Sequence, residues 1–327
     1  MRVMTESLGN ATMNILGAPN RCRQLVVNWH LTEACNYRCS YCYAHWETAN
    51  TGSDLTRDRQ SWQQLLCQLF EFFQFGNPEN PLGREMQWET VRLNIAGGEP
   101  LLNQRRTIEI ARMAQVIGFD VSIITNGSRF DRETATAIAP ALSMIGISVD
   151  SGCEDVNRSI GRVDRNGRVL CADDLSRAMV DARLANPDIR LKINTVVNAL
   201  NCDADMTALI RSLNPFKWKV LQMLPSLTDN LAVTELQFNS FVSRHQDLAD
   251  IMSIESNESM TESYIMIDPK GRFYQDNTGG DKRGYQYSRP ILQVGVRQAF
   301  ADVSLYSQKF LSRYKHRSSR EAAPIDD

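Results

Sequence analysis

Between residues 24 and 224, six short apolar runs alternate with segments of helical period, and this rhythm constrains the fold more than any other feature. The runs are QLVVNWHL (24–31), VRLNIA (91–96), DVSIIT (120–125), MIGISV (144–149), RLKINTVV (190–197) and KWKVLQML (217–224). Between them Trp62, Leu65, Leu66, Leu69, Phe70 and Phe73 recur at helical spacing, and Ile108, Ile110, Ala111, Ala114 and Ile117 do so less cleanly. Further helices are predicted over 132–142, 173–185 and 203–212. Strand alternating with helix predicts βαβ units and a parallel sheet. Six units suit an open or partial barrel better than a closed eight-stranded one.

After about residue 235 the rhythm changes. A helical pattern at 235–247 is followed by SYIMID (263–268) and GRFYQDN (271–277), which together predict a hairpin. The polar stretch 277–290, rich in Gly, Lys and Arg, predicts a loop, and a last helical pattern covers 291–313. The chain therefore divides into an N-terminal segment (1–22), a barrel (23–234) and a C-terminal extension (235–327) expected to pack on the barrel and close over a substrate.

The 327 residues allow one large α/β unit, and a hydrophobic share of 43% supports a sizeable core. A formal net charge of −2 argues against a surface built to coat nucleic acid or a membrane. A charged ligand would have to bind in a local pocket. No run reaches the roughly 20 apolar residues of a membrane span, and the N-terminus lacks a secretory pattern. Of eight cysteines, Cys35, Cys39 and Cys42 crowd together while Cys22, Cys67, Cys153, Cys171 and Cys202 are scattered. That is not the density of a disulfide scaffold, and a reducing cytoplasm is expected.

The three clustered cysteines follow the first predicted strand, at the end where barrel active sites are built. The spacing C-x3-C-x2-C can place three thiolates on three corners of an iron–sulfur cube, leaving one iron open to a small chelating ligand. A zinc site completed by a fourth ligand is the competing reading, with His30 and His45 near, and it would make the chain a zinc-stabilised binding module. One predicted strand later stands Asn94-Ile95-Ala96-Gly97-Gly98-Glu99-Pro100. Two glycines let backbone approach a ligand, and a carboxylate accepts from an ammonium.

The cluster, with Tyr41 before its last cysteine, and the Gly-Gly-Glu-Pro turn together resemble the radical S-adenosylmethionine (SAM) superfamily. Within it the chain resembles prokaryotic viperin-like proteins. The matching stretches include Val27-Asn28-Trp29-His30, Thr125-Asn126-Gly127-Ser128, Leu191-Lys192-Ile193-Asn194, Pro215-Phe216-Lys217-Trp218-Lys219, Glu262-Ser263-Tyr264 and Ile291-Leu292-Gln293-Val294-Gly295. The membrane-directing helix of animal viperins is not matched, Lys217 stands where they carry Arg, and the 277–290 loop matches poorly. Another radical SAM enzyme, acting on a peptide or a different small molecule, is the nearest alternative. The peptide-modifying kind often carries cysteines late in the chain, where none follows Cys202.

The fold the resemblance implies is α/β: a partial (βα)6 radical SAM barrel with a C-terminal extension. The activity it implies is a lyase-type dehydration, using a [4Fe–4S] cluster and SAM, of a ribonucleoside triphosphate to its 3′-deoxy-3′,4′-didehydro analogue. The 4′ hydrogen is abstracted, the 3′ hydroxyl leaves as water, and the product is a chain-terminating antiviral (antiphage) nucleotide. CTP or UTP is the favoured substrate. The resemblance further implies a cytoplasmic monomer fed by an electron-donating reductase, with no nucleic acid or membrane as partner. It places Cys35, Cys39 and Cys42 on the cluster, and Tyr41, Gly97, Gly98, Glu99, Asn126, Ser148, Arg162 and Leu224 on SAM. It places Tyr264 at the ribose as the catalytic group, and Lys192, Asn194, Lys217, Lys219, Lys282, Arg283 and Arg289 on the substrate. The residue pattern adds that Lys192 and Asn194 share one strand face, as do Lys217 and Lys219. Lysines turned into a lumen need an anion there.

Overall fold

The computed structural model describes residues 20–42, 54–226, 228–277 and 284–315. The strands are β1 Arg21–His30, β2 Gln87–Ala96, β3 Asp120–Thr125, β4 Met144–Ser148, β5 Arg190–Val197, β6 Lys217–Gln222, β7 Met252–Glu255, β8 Ile265–Ile267, β9 Phe273–Asn277 and β10 Gly284–Tyr287. The helices are α1 Arg59–Phe73, α2 Gln104–Ile117, α3 Arg132–Ile138, α4 Glu154–Ile160, α5 Ala172–Ala185, α6 Thr207–Leu213, α7 Glu235–Arg244, α8 Asn257–Met260, α9 Ile291–Val294, α10 Val296–Ala301 and α11 Ser307–Lys315.

The helices start and stop where local chemistry directs. The Asp58 carboxylate accepts from Ser61 N–H at the start of α1, and Trp62, Leu65, Leu66 and Leu69 form its buried stripe. Asn103 caps α2 in the same way, and Gly118 ends it at φ +120°, packed so close that a Cβ would meet the Phe70 ring at 2.6 Å. Thr234 and Gln237 close a reciprocal capping box on α7.

The sheet order is β10-β9-β8-β1-β2-β3-β4-β5-β6-β7. From β8 to β7 every neighbouring pair is parallel, whereas β9 and β10 pair antiparallel on the β8 edge. The six strands expected from sequence are present, and the 263–277 hairpin is β8 with β9. Three features differ from expectation. β7 joins β6, although Met252–Glu255 carries too short a signal to stand out. β8 also pairs with β1, so it continues the parallel sheet as well as opening a hairpin. Part of the stretch expected to be a loop is β10, paired from Gly284 to Tyr287 with β9. The last helical pattern breaks into α9, α10 and α11, with Gly295 at φ +84° between the first two.

Side chains from β1 through β9 line one cavity, so the sheet curves around a lumen. The two faces of each strand separate accordingly. On β6, Trp218 and Val220 are buried toward the helices, whereas Lys217, Lys219 and Leu221 border the lumen. The parallel sheet stays open between β7 and β8. There the Tyr264 hydroxyl donates to the Glu255 carboxylate, and Lys219 Nζ reaches both, 2.9 Å from Tyr264 Oη and 2.9 Å from Glu255 Oε2.

Candidate active site

The cavity holds about 320 Å³ and brings together most of the residues singled out from sequence. At the C-terminal ends of the strands its wall contains Cys35, Cys39, Tyr41, Cys42, Gly97, Gly98, Asn126, Ser148, Arg162 and Leu224. Deeper in the lumen stand Lys192, Asn194, Lys217, Lys219 and Tyr264. Lys282, Arg283 and His45 lie outside the described residues.

The loop carrying the cysteines is held by backbone on two sides. Gly98 N–H donates to Thr32 O at 2.7 Å, and Glu99 N–H to Ala34 O at 2.8 Å. From the other side Gly161 O accepts from Arg38 N–H at 3.0 Å, and Ile160 O from Ser40 N–H at 2.9 Å. A Cβ on Gly98 would fall 2.2 Å from Ala34 O, and one on Gly161 would fall 2.2 Å from Arg38 O. Gly98 is therefore required by the cysteine loop itself, a closer demand than approach to a ligand. Gly161 sits at φ +90° as the left-handed cap of α4, a helix that the sequence pattern had not revealed.

Burial pushes the Cys39 thiol up to about 12 and also raises Cys35. The three thiols offer a soft donor set of the kind iron–sulfur clusters use. Among the described residues no three His, Cys, Asp or Glu side chains converge closely enough for a single metal ion. Three thiols in one loop can each hold one iron of a cubic cluster and leave the fourth iron open, so the donor set fits such a cluster.

Glu99, expected at SAM, stands apart from the other residues of that set. It is fully buried and absent from the cavity wall. Its carboxylate accepts from Leu101 N–H at 2.9 Å, Thr125 Oγ1 at 2.7 Å and Asn126 N–H at 2.7 Å. Burial raises its pKa, and these three donors oppose the rise. Glu99 thus pins the end of β3 to the turn after β2. It sets Asn126, whose Nδ2 donates to Asn36 Oδ1 at 3.0 Å and points at Cys35 Sγ, 3.8 Å away.

Asp150 is a residue that the sequence reading missed. Fully buried, it accepts from the Tyr41 hydroxyl, lies 3.4 Å from Arg162 Nη1, and takes Val196 N–H at 3.0 Å. Arg162 also donates to Ser148 O and to Tyr41 Oη. Burial works against the Arg162 charge, but Asp150 and then Tyr41 raise its pKa well above the usual value. The aspartate follows β4 in the Ser148-Val149-Asp150 stretch, and only its distance from Tyr41 in the fold reveals the role.

The lumen is polar in layers. Asn28, Asn94 and Ser122 form a chain of hydrogen bonds across β1, β2 and β3, each 2.8 Å long. Below it Arg92 pairs with Asp120 at 2.7 Å. Gly146 stands beside Lys192 in register, and a Cβ there would come 3.1 Å from Lys192 Cε. The absent side chain gives that lysine its room. Both amide atoms of Asn194 are buried with no partner among the described residues. Arg289, expected on the substrate, also stands apart. Its guanidinium lies outside this wall, half exposed, and grips Asp302 at 2.8 and 2.9 Å.

A profile of the radical SAM superfamily matches residues 29–184. The chain is 41% identical over 296 residues to the S-adenosylmethionine-dependent nucleotide dehydratase of Psychrobacter lutiphocae, a match covering 90% of this chain and 96% of that one. It is 40% identical over 293 residues to the enzyme of the same name from Pseudoalteromonas ulvae, covering 90% and 94%. Among solved structures it is similar to native anSMEcpe with bound AdoMet and Kp18Cys peptide, with a TM-score of 0.60 at 14% identity. That match covers 89% of this chain and 83% of the other, and it is a likeness of fold, in agreement with the partial barrel expected from sequence.

Proposed function

The chain belongs to the family of S-adenosylmethionine-dependent nucleotide dehydratases, and on that premise we propose that it dehydrates the ribose of a ribonucleoside triphosphate, CTP or UTP, to the 3′-deoxy-3′,4′-didehydro nucleotide. The observation that carries this reading is the single cavity that joins the cysteine loop to the lumen lysines. A terminator of polymerases is the product, and antiphage defence in the cytoplasm is its use.

Cys35, Cys39 and Cys42 would hold a [4Fe–4S] cluster. When bound and reduced, that cluster with SAM supplies methionine and a 5′-deoxyadenosyl radical able to take the 4′ hydrogen of the ribose. Gly97, Gly98, Asn126, Ser148 and Leu224 border the space for SAM. Arg162, held in place by Asp150, presents a cation for its carboxylate. Lys192 and Lys217, neighbours in register on β5 and β6, offset the charge of the triphosphate. The unsatisfied amide of Asn194 takes ribose hydroxyls, which removes the cost of burying it without a partner.

After loss of the 4′ hydrogen, the ribosyl radical needs one electron and one proton to release the 3′ hydroxyl as water and form the 3′,4′ alkene. Tyr264 stands at this step, its hydroxyl bonded to Glu255 and to Lys219. The Lys219–Glu255–Tyr264 group supplies the proton and restores it from solvent through the open seam of the sheet. A reductase donates the electron, and the chain acts as a monomer. No helix among the described residues is long and apolar enough to cross a membrane.

The test is anaerobic. The protein, reconstituted with iron and sulfide, receives dithionite, SAM and one triphosphate, and mass spectrometry follows 5′-deoxyadenosine together with a nucleotide lighter by one water. Appearance of both supports the proposal. Abundant 5′-deoxyadenosine without any lighter nucleotide refutes the substrate assignment.

A further inference from the structure

One acidic group in the cavity wall takes no part in the reaction just described. Asp276 lies on β9, 93% buried, since its relative exposure is 7%. No hydrogen bond or ion pair holds its carboxylate among the described residues, in contrast to Asp120, Asp150 and Glu255, which all have donors or cations. Burial pushes its pKa up to about 6. A buried carboxylate without a donor is costly, and a ligand that supplies a donor relieves the cost.

The position narrows which part of a nucleotide meets it. Phe273 turns toward the helices, where it packs on Phe73 and Phe300. Tyr274 and Asp276 therefore share the opposite face, the one bordering the lumen. The antiparallel register sets Met266 against Tyr274; continued two residues beyond the paired strand it directs Tyr264 toward Asp276, and both line the cavity. Gln275 Nε2 donating to Tyr264 O at 2.7 Å agrees with that register. Cross-strand neighbours stand about 5 Å apart, so a ligand whose sugar lies at Tyr264 has its adjoining parts within reach of Asp276. The triphosphate is excluded by like charge and drawn to Lys192 and Lys217. The base remains.

We infer that Asp276 reads the nucleobase, accepting a hydrogen bond from an amino group on its edge, so that an amino-bearing base is taken in preference to uracil. Between the two pyrimidines the choice falls on cytosine, whose N4 amine donates where uracil carries the O4 carbonyl. A carboxylate facing O4 would meet a second acceptor and stay unpaired, which is the arrangement by which a polar site rejects the wrong ligand. This inference rests on the dehydratase reading above and adds its selectivity.

The experiment uses the reconstituted protein and its Asp276→Asn variant, matched for iron content, in an equimolar mixture of CTP, UTP, GTP and ATP. For the wild type, cytidine or another amino-bearing product should exceed the uridine product by about tenfold or more, the scale of a hydrogen bond to a charged group. In the variant, whose amide can donate to O4, the ratio of uridine product to amino-bearing product should rise by about tenfold. Calorimetric binding of CTP and UTP without reductant should show the same change of ratio, independent of turnover. A wild type that prefers uridine overturns the inference. So does a variant whose ratios are unchanged, or one that loses all four substrates by the same factor, as a ribose or magnesium contact would. Absence of any dehydrated nucleotide, with 5′-deoxyadenosine still formed, refutes the dehydratase reading instead, and the inference with it.

Discussion

The two ends of the cavity are built on opposite principles. At the cysteine end the buried charges Glu99, Asp150 and Arg162 are satisfied from within, although the Tyr37 hydroxyl between the cysteines has no hydrogen-bond partner among the described residues. Glu99 takes three donors, Asp150 holds Tyr41 and Arg162, and two glycines seat the loop by backbone contact. Deeper in, Asn194 and Asp276 are buried without partners among the described residues, although Lys219, Glu255 and Tyr264 beside them are joined. A cradle that must hold the same cofactor in every turnover gains from a rigid, internally satisfied frame. A site that admits and releases a substrate each time leaves donors and acceptors for that substrate to complete.

The sharpest way to break the cysteine end is Gly98→Ala. The added Cβ collides with a backbone oxygen, which has nowhere to yield without moving the loop. Iron uptake should fall, and 5′-deoxyadenosine formation should drop by about a hundredfold or more, the scale of a misplacement near 1 Å. Iron analysis and product quantification check it, and wild-type iron content in the variant would contradict the packing described.

Asp150→Asn tests internal satisfaction directly. It leaves the buried Arg162 charge uncompensated, and stability should fall by about 3 kcal/mol, measured by chemical denaturation of the anaerobic protein. A loss below about 1 kcal/mol would mean that Tyr41 and Ser148 suffice to hold the guanidinium.

Lys192→Met probes the other end. Apparent affinity for the triphosphate should fall by roughly tenfold to a hundredfold, from the loss of a charged hydrogen bond. Substrate-free cleavage of SAM should persist, because the cysteine end is untouched. Equal loss of both would erase the distinction between the two ends. The smallest effect belongs to Arg289→Ala, which removes an exposed pair with Asp302. Stability should hardly change, as for any solvent-screened pair, and turnover should hold. A large fall in triphosphate affinity would return Arg289 to the substrate site.

The cysteine loop was more legible in the sequence than its surroundings. Cys35, Cys39 and Cys42 lie within one loop, so their spacing alone carries the chemistry. Lys192 and Lys217 were legible because strand alternation assigns their face and the apolar partners Ile193 and Trp218 claim the other. The surroundings of Glu99 were not legible because the motif names the residue but not its direction. The direction depends on Thr125 and Asn126, 26 and 27 positions away. The Arg289–Asp302 pair was not legible because a basic residue near an expected anion site looks the same whether it meets that anion or a neighbouring aspartate.

By itself, the sequence determined the six early strands, most of the helices between them, the thiol cluster and the strand face that Lys192 and Lys217 share with the lumen. All of these follow from short-range periodicity and spacing. Only the tertiary structure decided that β7 and β8 extend the parallel sheet, that Asp150 underpins Tyr41 and Arg162, and that Asp276 reaches the cavity with no partner among the described residues. The physical reason is one of range. Pairing between strands far apart in the chain, and the presence or absence of a partner for a buried charge, are set by which distant segments meet, and no local pattern encodes that meeting.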